Sequence, residues 1–168
     1  MSGEAEVQPQ DARPAVYIET SVISYLTADL SKDIVVLAHQ KITKEWWERR
    51  SGFRLHTSAL VIAEASRGDP RMVAQRLELL RPLPLLEVPV TVDSLARGLL
   101  DRGALPPKAK VDATHIAISA VNGMDYLLTW NCKHIANAAM RKRIEALCRE
   151  AGFEPPIMCT PEELLGRD

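Results

Sequence analysis

The stretch from Val111 to Asn131 constrains the fold more than any other part of the chain. It places an acid, Asp112, at the head of a helical apolar pattern, and Asn122-Gly123 ends that pattern. An apolar run then predicts a buried strand at residues 126–128, and polar residues 129–131 follow at its carboxyl end. A helix that leads through a tight turn into a buried strand is typical of parallel α/β sheets, whose chemistry lies at the carboxyl edge.

The same alternation of short apolar runs and helical patterns extends over the rest of the chain. Strands are predicted at residues 15–18, 53–57, 85–88, 126–128 and 156–159. Helices are predicted at residues 22–26, 31–50, 59–66, 70–80, 91–102, 112–121 and 135–151, with a short closing turn of helix after Thr160. We therefore expect an α/β fold with a parallel sheet covered on both faces. We expect one domain at residues 14–168, preceded by a disordered N-terminal tail at residues 1–13.

Charge, cysteine content and hydropathy exclude several functional classes. The 21 basic and 22 acidic residues give no overall attraction to nucleic acid, so an RNA partner would need a local basic patch. The three cysteines lack zinc-finger spacing and fit a reduced, cytoplasmic setting. No apolar run approaches the roughly 20 residues that cross a bilayer, so we expect no membrane association. A Gly-rich dinucleotide-binding fingerprint is absent from the sequence.

Three acids occupy comparable places beside the predicted strands. Glu19 follows the first strand, Glu64 lies in the helix after the second, and Asp112 heads a later helix. Right-handed crossovers bring the carboxyl ends of neighbouring parallel strands to one edge, where Glu19 and Asp112 can meet. Carboxylates in one pocket repel each other unless a cation lies between them, and oxygen ligands suit Mg²⁺ or Mn²⁺. Taken singly, Asp112 also fits a helix cap, and Glu64 also fits a solvated helix position.

Four segments of the chain resemble, in order and spacing, the motifs of the PIN domain family. The first is an apolar strand that ends in Glu19-Thr20-Ser21, and the second places Glu64 in the helix after strand two. The third begins Asp112-Ala113, and the fourth is an apolar strand that ends in Thr129-Trp130-Asn131. The resemblance covers residues 14–165 and is nearest to VapC-type toxins of bacterial toxin–antitoxin pairs.

The resemblance implies a three-layer α/β/α sandwich and a divalent-metal-dependent endoribonuclease that hydrolyses RNA with metal-activated water. It implies that Glu19, Glu64 and Asp112 bind Mg²⁺ or Mn²⁺, and that Asn131 completes the catalytic set. It also implies a homodimer that is bound by a small antitoxin protein.

Two residues depart from the family pattern. Glu19 stands where the family usually has Asp, and Asn131 stands where it often has a fourth acid. Asn131 offers a carbonyl oxygen but no charge, so a second metal ion would be held less well. The alternative hypothesis is a PIN-fold module that binds RNA or a partner protein through a weakened or inactive metal site.

Three further residues are predicted to support the acids. Thr129 follows a predicted strand, where its hydroxyl group can hold a water molecule or a carboxylate. Thr20 follows Glu19, and either Thr20 or Ser21 is suited to cap the next helix. His115 lies three residues after Asp112, so it can face the same side of the helix. It would then either hydrogen-bond a carboxylate or the substrate, or serve as a structural histidine.

Basic and aromatic residues near the acids are candidates for RNA contact. Lys108 and Lys110 precede Asp112, and Lys133 follows Asn131, so the three could line a path for phosphates. A solvated helix surface explains such charges equally simply. Trp130 is predicted to be a packing residue, with stacking on an RNA base as the alternative.

Overall fold

The computed structural model describes residues 11–166. Its strands are β1 (Ala15–Ile18), β2 (Arg54–His56), β3 (Tyr126–Leu128) and β4 (Ile157–Cys159). Its α-helices are α1 (Thr20–Thr27), α2 (Ile34–Glu48), α3 (Ala59–Ala65), α4 (Pro70–Leu80), α5 (Val90–Asp101), α6 (Lys110–Val121), α7 (Ala138–Glu150) and α8 (Pro161–Leu164). A 3₁₀ turn, Arg50–Gly52, leads into β2.

The four strands form one parallel sheet in the order β2-β1-β3-β4. Every residue of β1 is buried, as expected for a central strand that helices cover on both faces. Val16 pairs with Leu55 of β2 on one side and with Tyr126 of β3 on the other. The predicted α/β class, with a parallel sheet in a three-layer α/β/α sandwich, is confirmed.

The prediction of a strand at residues 85–88 is wrong. The segment makes a single bridge between Thr57 and Leu85, in which the Leu86 N–H donates to the Thr57 carbonyl at 2.8 Å. Pro84 and Pro89 flank it and have no N–H to donate. Leu85 is 58% exposed, so little burial favours a longer pairing at this edge of the sheet.

Helix boundaries follow the side-chain caps. Asp33 accepts hydrogen bonds from Val35 N and Val36 N, so the helix predicted from residue 31 begins at Ile34. Asn137 accepts from Ala139 N, so the helix predicted from residue 135 begins at Ala138. The helix predicted at residues 70–80 has these bounds in the structure.

Residues 1–10 of the predicted tail lie outside the described residues, as do residues 167–168. Residues 11–13 form neither helix nor strand, and Arg13 Nη1 donates to the Ser51 carbonyl at 2.9 Å. Among the described helices, none is long and apolar enough to cross a membrane.

The core positions a polar site at one edge of the sheet. Ile18 and Leu128 are fully buried at the ends of β1 and β3, and Ile116 of α6 is fully buried as well. The residues that follow these two strands, Glu19 and Thr129, are also buried although they are polar. Buried polar groups require hydrogen-bond partners, so the carboxyl edge is where a functional site is expected.

Candidate metal centre

Glu19 follows β1 directly and forms the N-cap of α1. Its Oε2 atom accepts hydrogen bonds from Ser21 N at 3.1 Å and from Thr129 Oγ1 at 2.7 Å, and the Ser21 hydroxyl donates to the same oxygen. No described residue donates a hydrogen bond to Oε1. The side chain is therefore fixed through one oxygen, and its second oxygen is left for another partner.

Glu64 lies in α3, which Ser58 caps immediately after β2. Its Oε2 atom accepts hydrogen bonds from Thr20 Oγ1 at 2.6 Å and from His115 Nε2 at 2.8 Å. Burial alone would raise the pKa of Glu64, but the hydrogen bonds from His115 and Thr20, together with nearby positive charge, outweigh burial and hold the pKa below its ordinary value of 4.5. Glu64 is therefore a fixed, ionised carboxylate, and the interpretation as a merely solvated helix residue is wrong.

Glu19, Glu64 and His115 form a cluster that could hold a metal ion. One carboxylate oxygen from each acid and one ring nitrogen of His115 all lie within 4.8 Å of one another. His115 Nε2 is 2.8 Å from Glu64 Oε2 and 3.9 Å from Glu19 Oε1. We call these three residues the Glu–Glu–His cluster. Glu19 and Glu64 thus lie together, whereas Asp112, which is the acid predicted to meet Glu19 at this edge, does not belong to the cluster.

His115 is connected on its other side to the interior of the fold. Its Nδ1 atom lies 2.9 Å from the hydroxyl group of Tyr17, which in turn lies 2.7 Å from Ser58 Oγ. Burial raises the pKa of Tyr17, and the nearby charges of Glu19 and Glu64 raise it further. The sequence predicted a supporting role for His115 but missed Tyr17 and Ser58. The available signal was a tyrosine inside an otherwise apolar strand, since a buried hydroxyl group needs a partner.

Asp112 lies in the first turn of α6, and the residue at the N-cap is Ala109, without a side-chain bond. The interpretation of Asp112 as a helix cap is therefore wrong. Its Oδ1 atom accepts a hydrogen bond from Asn131 Nδ2 at 2.9 Å, and its Oδ2 atom lies 2.7 Å from His134 Nδ1. The backbone N–H of His134 also donates to Asn131 Oδ1, at 3.0 Å. Asp112, Asn131 and His134 thus form a second unit, the Asp–Asn–His group.

The two units are joined through Thr129. Asn131 N donates to Thr129 Oγ1 at 2.9 Å, and Thr129 Oγ1 donates to Glu19 Oε2. The predicted supporting roles of Thr20 and Thr129 correspond to these bonds to carboxylates. His134 was not predicted, although it lies three residues after Asn131, the spacing at which an Asn side chain can accept its N–H. The role of Asp112 as a metal ligand stays a prediction.

The flanking residues divide into exposed lysines and a packed tryptophan. Lys108, Lys110 and Lys133 are exposed, and their contact with RNA stays a prediction. Trp130 stacks on His39 with ring centroids 4.0 Å apart, and its Nε1 donates to Thr43 Oγ1 at 2.7 Å. The packing interpretation of Trp130 is confirmed.

Comparison of the chain with protein-family models, with curated proteins and with solved structures gives no match. The resemblance to PIN domains therefore rests on the four sequence motifs.

Proposed function

We propose that the chain is a divalent-metal-dependent endoribonuclease of the PIN/VapC toxin type. The observation that carries the proposal is the meeting of Glu19 and Glu64 at the carboxyl edge of the parallel sheet, beside the buried His115. Two carboxylates this close repel each other, and the lowered pKa of Glu64 opposes relief by protonation. A divalent cation bound between the two carboxylates would balance their charge.

The donor atoms fit Mg²⁺ or Mn²⁺. Each glutamate has its Oε2 held by hydrogen bonds within the protein, and no described residue donates to either Oε1. Hard divalent ions prefer such oxygen ligands and keep several of their waters. When bound, the ion would lower the pKa of a water molecule and neutralise charge at a phosphodiester.

The surrounding residues would hold the site in a fixed geometry and approach the substrate. Ser21 and Thr129 orient Glu19, and Thr20 with His115 orients Glu64, so both carboxylates are placed before a metal ion binds. The exposed Lys108, Lys110 and Lys133 would contact RNA phosphates and offset the repulsion between RNA and the acids. Asp112 and Asn131 complete the proposed catalytic set.

The experiment measures cleavage of a labelled RNA pool by the full chain with Mg²⁺, with Mn²⁺ and with a chelator. Glu64→Gln keeps the shape of the side chain and removes its charge, so we expect cleavage to fall by about 100-fold or more. Glu48→Gln at an exposed position of α2 is the matched control and should cleave like the parent. RNA left intact by the parent with both metals, or equal cleavage by Glu64→Gln, would contradict the proposal.

A second candidate function is a module that binds RNA or a partner protein through a weakened metal site. The observation that favours it is that both oxygens of Asp112 are already bonded, to Asn131 and to His134. The third acid therefore faces protein donors, and only two carboxylates remain in the cluster. Asn131→Asp distinguishes the candidates, since a large gain in cleavage or in metal affinity supports a weakened nuclease, whereas RNA binding without any gain supports the binding module.

The proposal also covers the partners and the location. A small antitoxin, a homodimer and a cytoplasmic setting follow from the resemblance to VapC-type toxins. Light scattering on the purified chain tests the homodimer, and a monomer at all concentrations would count against it. Co-purification with a small protein encoded beside it tests the antitoxin.

A further inference from the structure

The side chain of His115 is only 1% exposed. Each of its two ring nitrogens has a hydrogen-bond partner within the protein. Nε2 lies 2.8 Å from Glu64 Oε2, and Nδ1 lies 2.9 Å from the Tyr17 hydroxyl group. That hydroxyl group lies 2.7 Å from Ser58 Oγ, which accepts a hydrogen bond from Val61 N. Ser58, Tyr17, His115 and Glu64 thus form one continuous buried hydrogen-bond chain.

The direction of this hydrogen-bond chain follows from counting its hydrogens. If Ser58 donates to Tyr17, then Tyr17 donates to Nδ1 of His115, and Nε2–H donates to Glu64. Every hydrogen then has an acceptor. In the opposite direction the Ser58 hydroxyl hydrogen has no acceptor among the described residues, which is costly for a group that is fully buried. With the ring proton on Nδ1, a bare Nε2 would also face the Glu64 carboxylate at 2.8 Å and repel it.

We infer that His115 is a positioning residue that donates its Nε2 hydrogen to Glu64, and that Tyr17 and Ser58 hold it in this tautomer. The inference rests on the metal site of the proposed function and adds that His115 is not a ligand of the ion. The protein ligands in the Glu–Glu–His cluster are then the carboxylate oxygens of Glu19 and Glu64 alone. Such a set selects Mg²⁺ or Mn²⁺ over ions that favour imidazole, such as Zn²⁺.

The first test compares two substitutions at His115 by calorimetric titration of the full chain with Mn²⁺. His115→Gln keeps an N–H donor near the position of Nε2, so we expect Mn²⁺ affinity within about threefold of the parent. His115→Ala removes the donor, and loss of such an outer partner weakens metal binding by about 10–100-fold. Equal loss in both variants would identify the ring nitrogen as a ligand and overturn the inference, and so would full affinity in His115→Ala.

The second test observes the tautomer directly, by long-range ¹H–¹⁵N spectra of protein labelled at its four histidines. We expect the Nε2–H pattern for His115, unchanged when Mg²⁺ is added. Tyr17→Phe removes the donor to Nδ1, so the pattern should shift toward a tautomer mixture. Tyr126→Phe removes a hydroxyl group from β3, outside the hydrogen-bond chain, and serves as the control.

An Nδ1–H pattern in the parent, or loss of the Nε2 proton on adding Mg²⁺, would overturn the inference without the need for any variant. These readouts also separate the two proposals. Mn²⁺ binding without RNA cleavage contradicts only the ribonuclease, whereas a parent that binds neither Mn²⁺ nor Mg²⁺ contradicts the metal site on which both depend.

Discussion

His134 Nδ1 lies 2.7 Å from Asp112 Oδ2, although the two residues are 22 positions apart in the sequence. The side chains are 12% and 20% exposed, so water screens the contact little. Asn131 donates to the other oxygen of the same carboxylate. The contact therefore ties the start of α6 to the loop that follows β3.

We expect this contact to stabilise the fold, because a hydrogen bond to a charged, half-buried carboxylate contributes about 1.5–3 kcal/mol. Asp112→Asn and His134→Gln should each lower the free energy of unfolding, measured with urea. The double variant should lose less than the sum of the two single losses, since each substitution disrupts the same contact. Additive losses would show that the two side chains do not interact in solution.

The hydrogen bond from Thr20 to Glu64 predicts a pH-dependent contribution to stability. The pKa of Glu64 in the folded chain lies below its ordinary value of 4.5, so its ionised form stabilises the fold above that value and the contribution is lost as the pH falls through the folded pKa. Thr20→Val should therefore cost about 1–3 kcal/mol at neutral pH and less at about pH 3. Urea titrations at both pH values measure the difference.

Thr27→Val is the matched control, because the Thr27 hydroxyl group donates to a carbonyl of its own helix at 3.1 Å. Its effect on the free energy of unfolding should not change with pH. If the loss in Thr20→Val were the same at both pH values, the assignment of its hydroxyl group to ionised Glu64 would be wrong.

The cysteines should differ sharply in reactivity. Cys132 is exposed, whereas Cys148 and Cys159 are buried, and burial raises the pKa of their thiols to about 11 and about 12. Since the thiolate is the reactive form, iodoacetamide at neutral pH should label Cys132 first in the folded chain. Mass spectrometry of the digested protein locates the label. Rapid labelling of Cys159 before unfolding would contradict its burial in β4.

Leu127 should be among the most sensitive apolar positions, since it is fully buried in β3 between β1 and β4. Leu127→Ala leaves a cavity and should lower the free energy of unfolding by about 2–5 kcal/mol. Ile157→Ala in β4 is the control, because Ile157 is 56% exposed and should lose about 1 kcal/mol or less. Similar losses in the two variants would contradict this description of the core.

The sequence predicts the sheet because its signals are local. Apolar runs of three or four residues separated by capped helices indicate parallel strands, and topology then brings the carboxyl ends of β1 and β3 to one edge. The segment at residues 85–88 has the composition of a strand, but its flanking prolines and its exposure decide otherwise. Composition alone does not contain that information, since exposure depends on the neighbours across the sheet.

The partners within the site depend on register and loop conformation, which no local pattern reveals. Tyr17 reaches Ser58 because it pairs with His56 across the sheet, two residues before Ser58, the N-cap of α3. Asp112 meets His134 because the loop after β3 turns back toward α6. The sequence therefore identified the acids and the supporting residues Thr20, Thr129 and His115. It did not identify Tyr17, Ser58 and His134.

The Glu–Glu–His cluster can form only at a late stage of protein synthesis. Glu19 and the Thr129 that orients it are 110 residues apart, and β1 has no partner on that side until β3 exists. A chain still on the ribosome with only its first 110 residues outside carries both glutamates but neither His115 nor Thr129. The Glu–Glu–His cluster is therefore completed late in synthesis, and a product truncated after residue 110 carries two glutamates without His115 and Thr129.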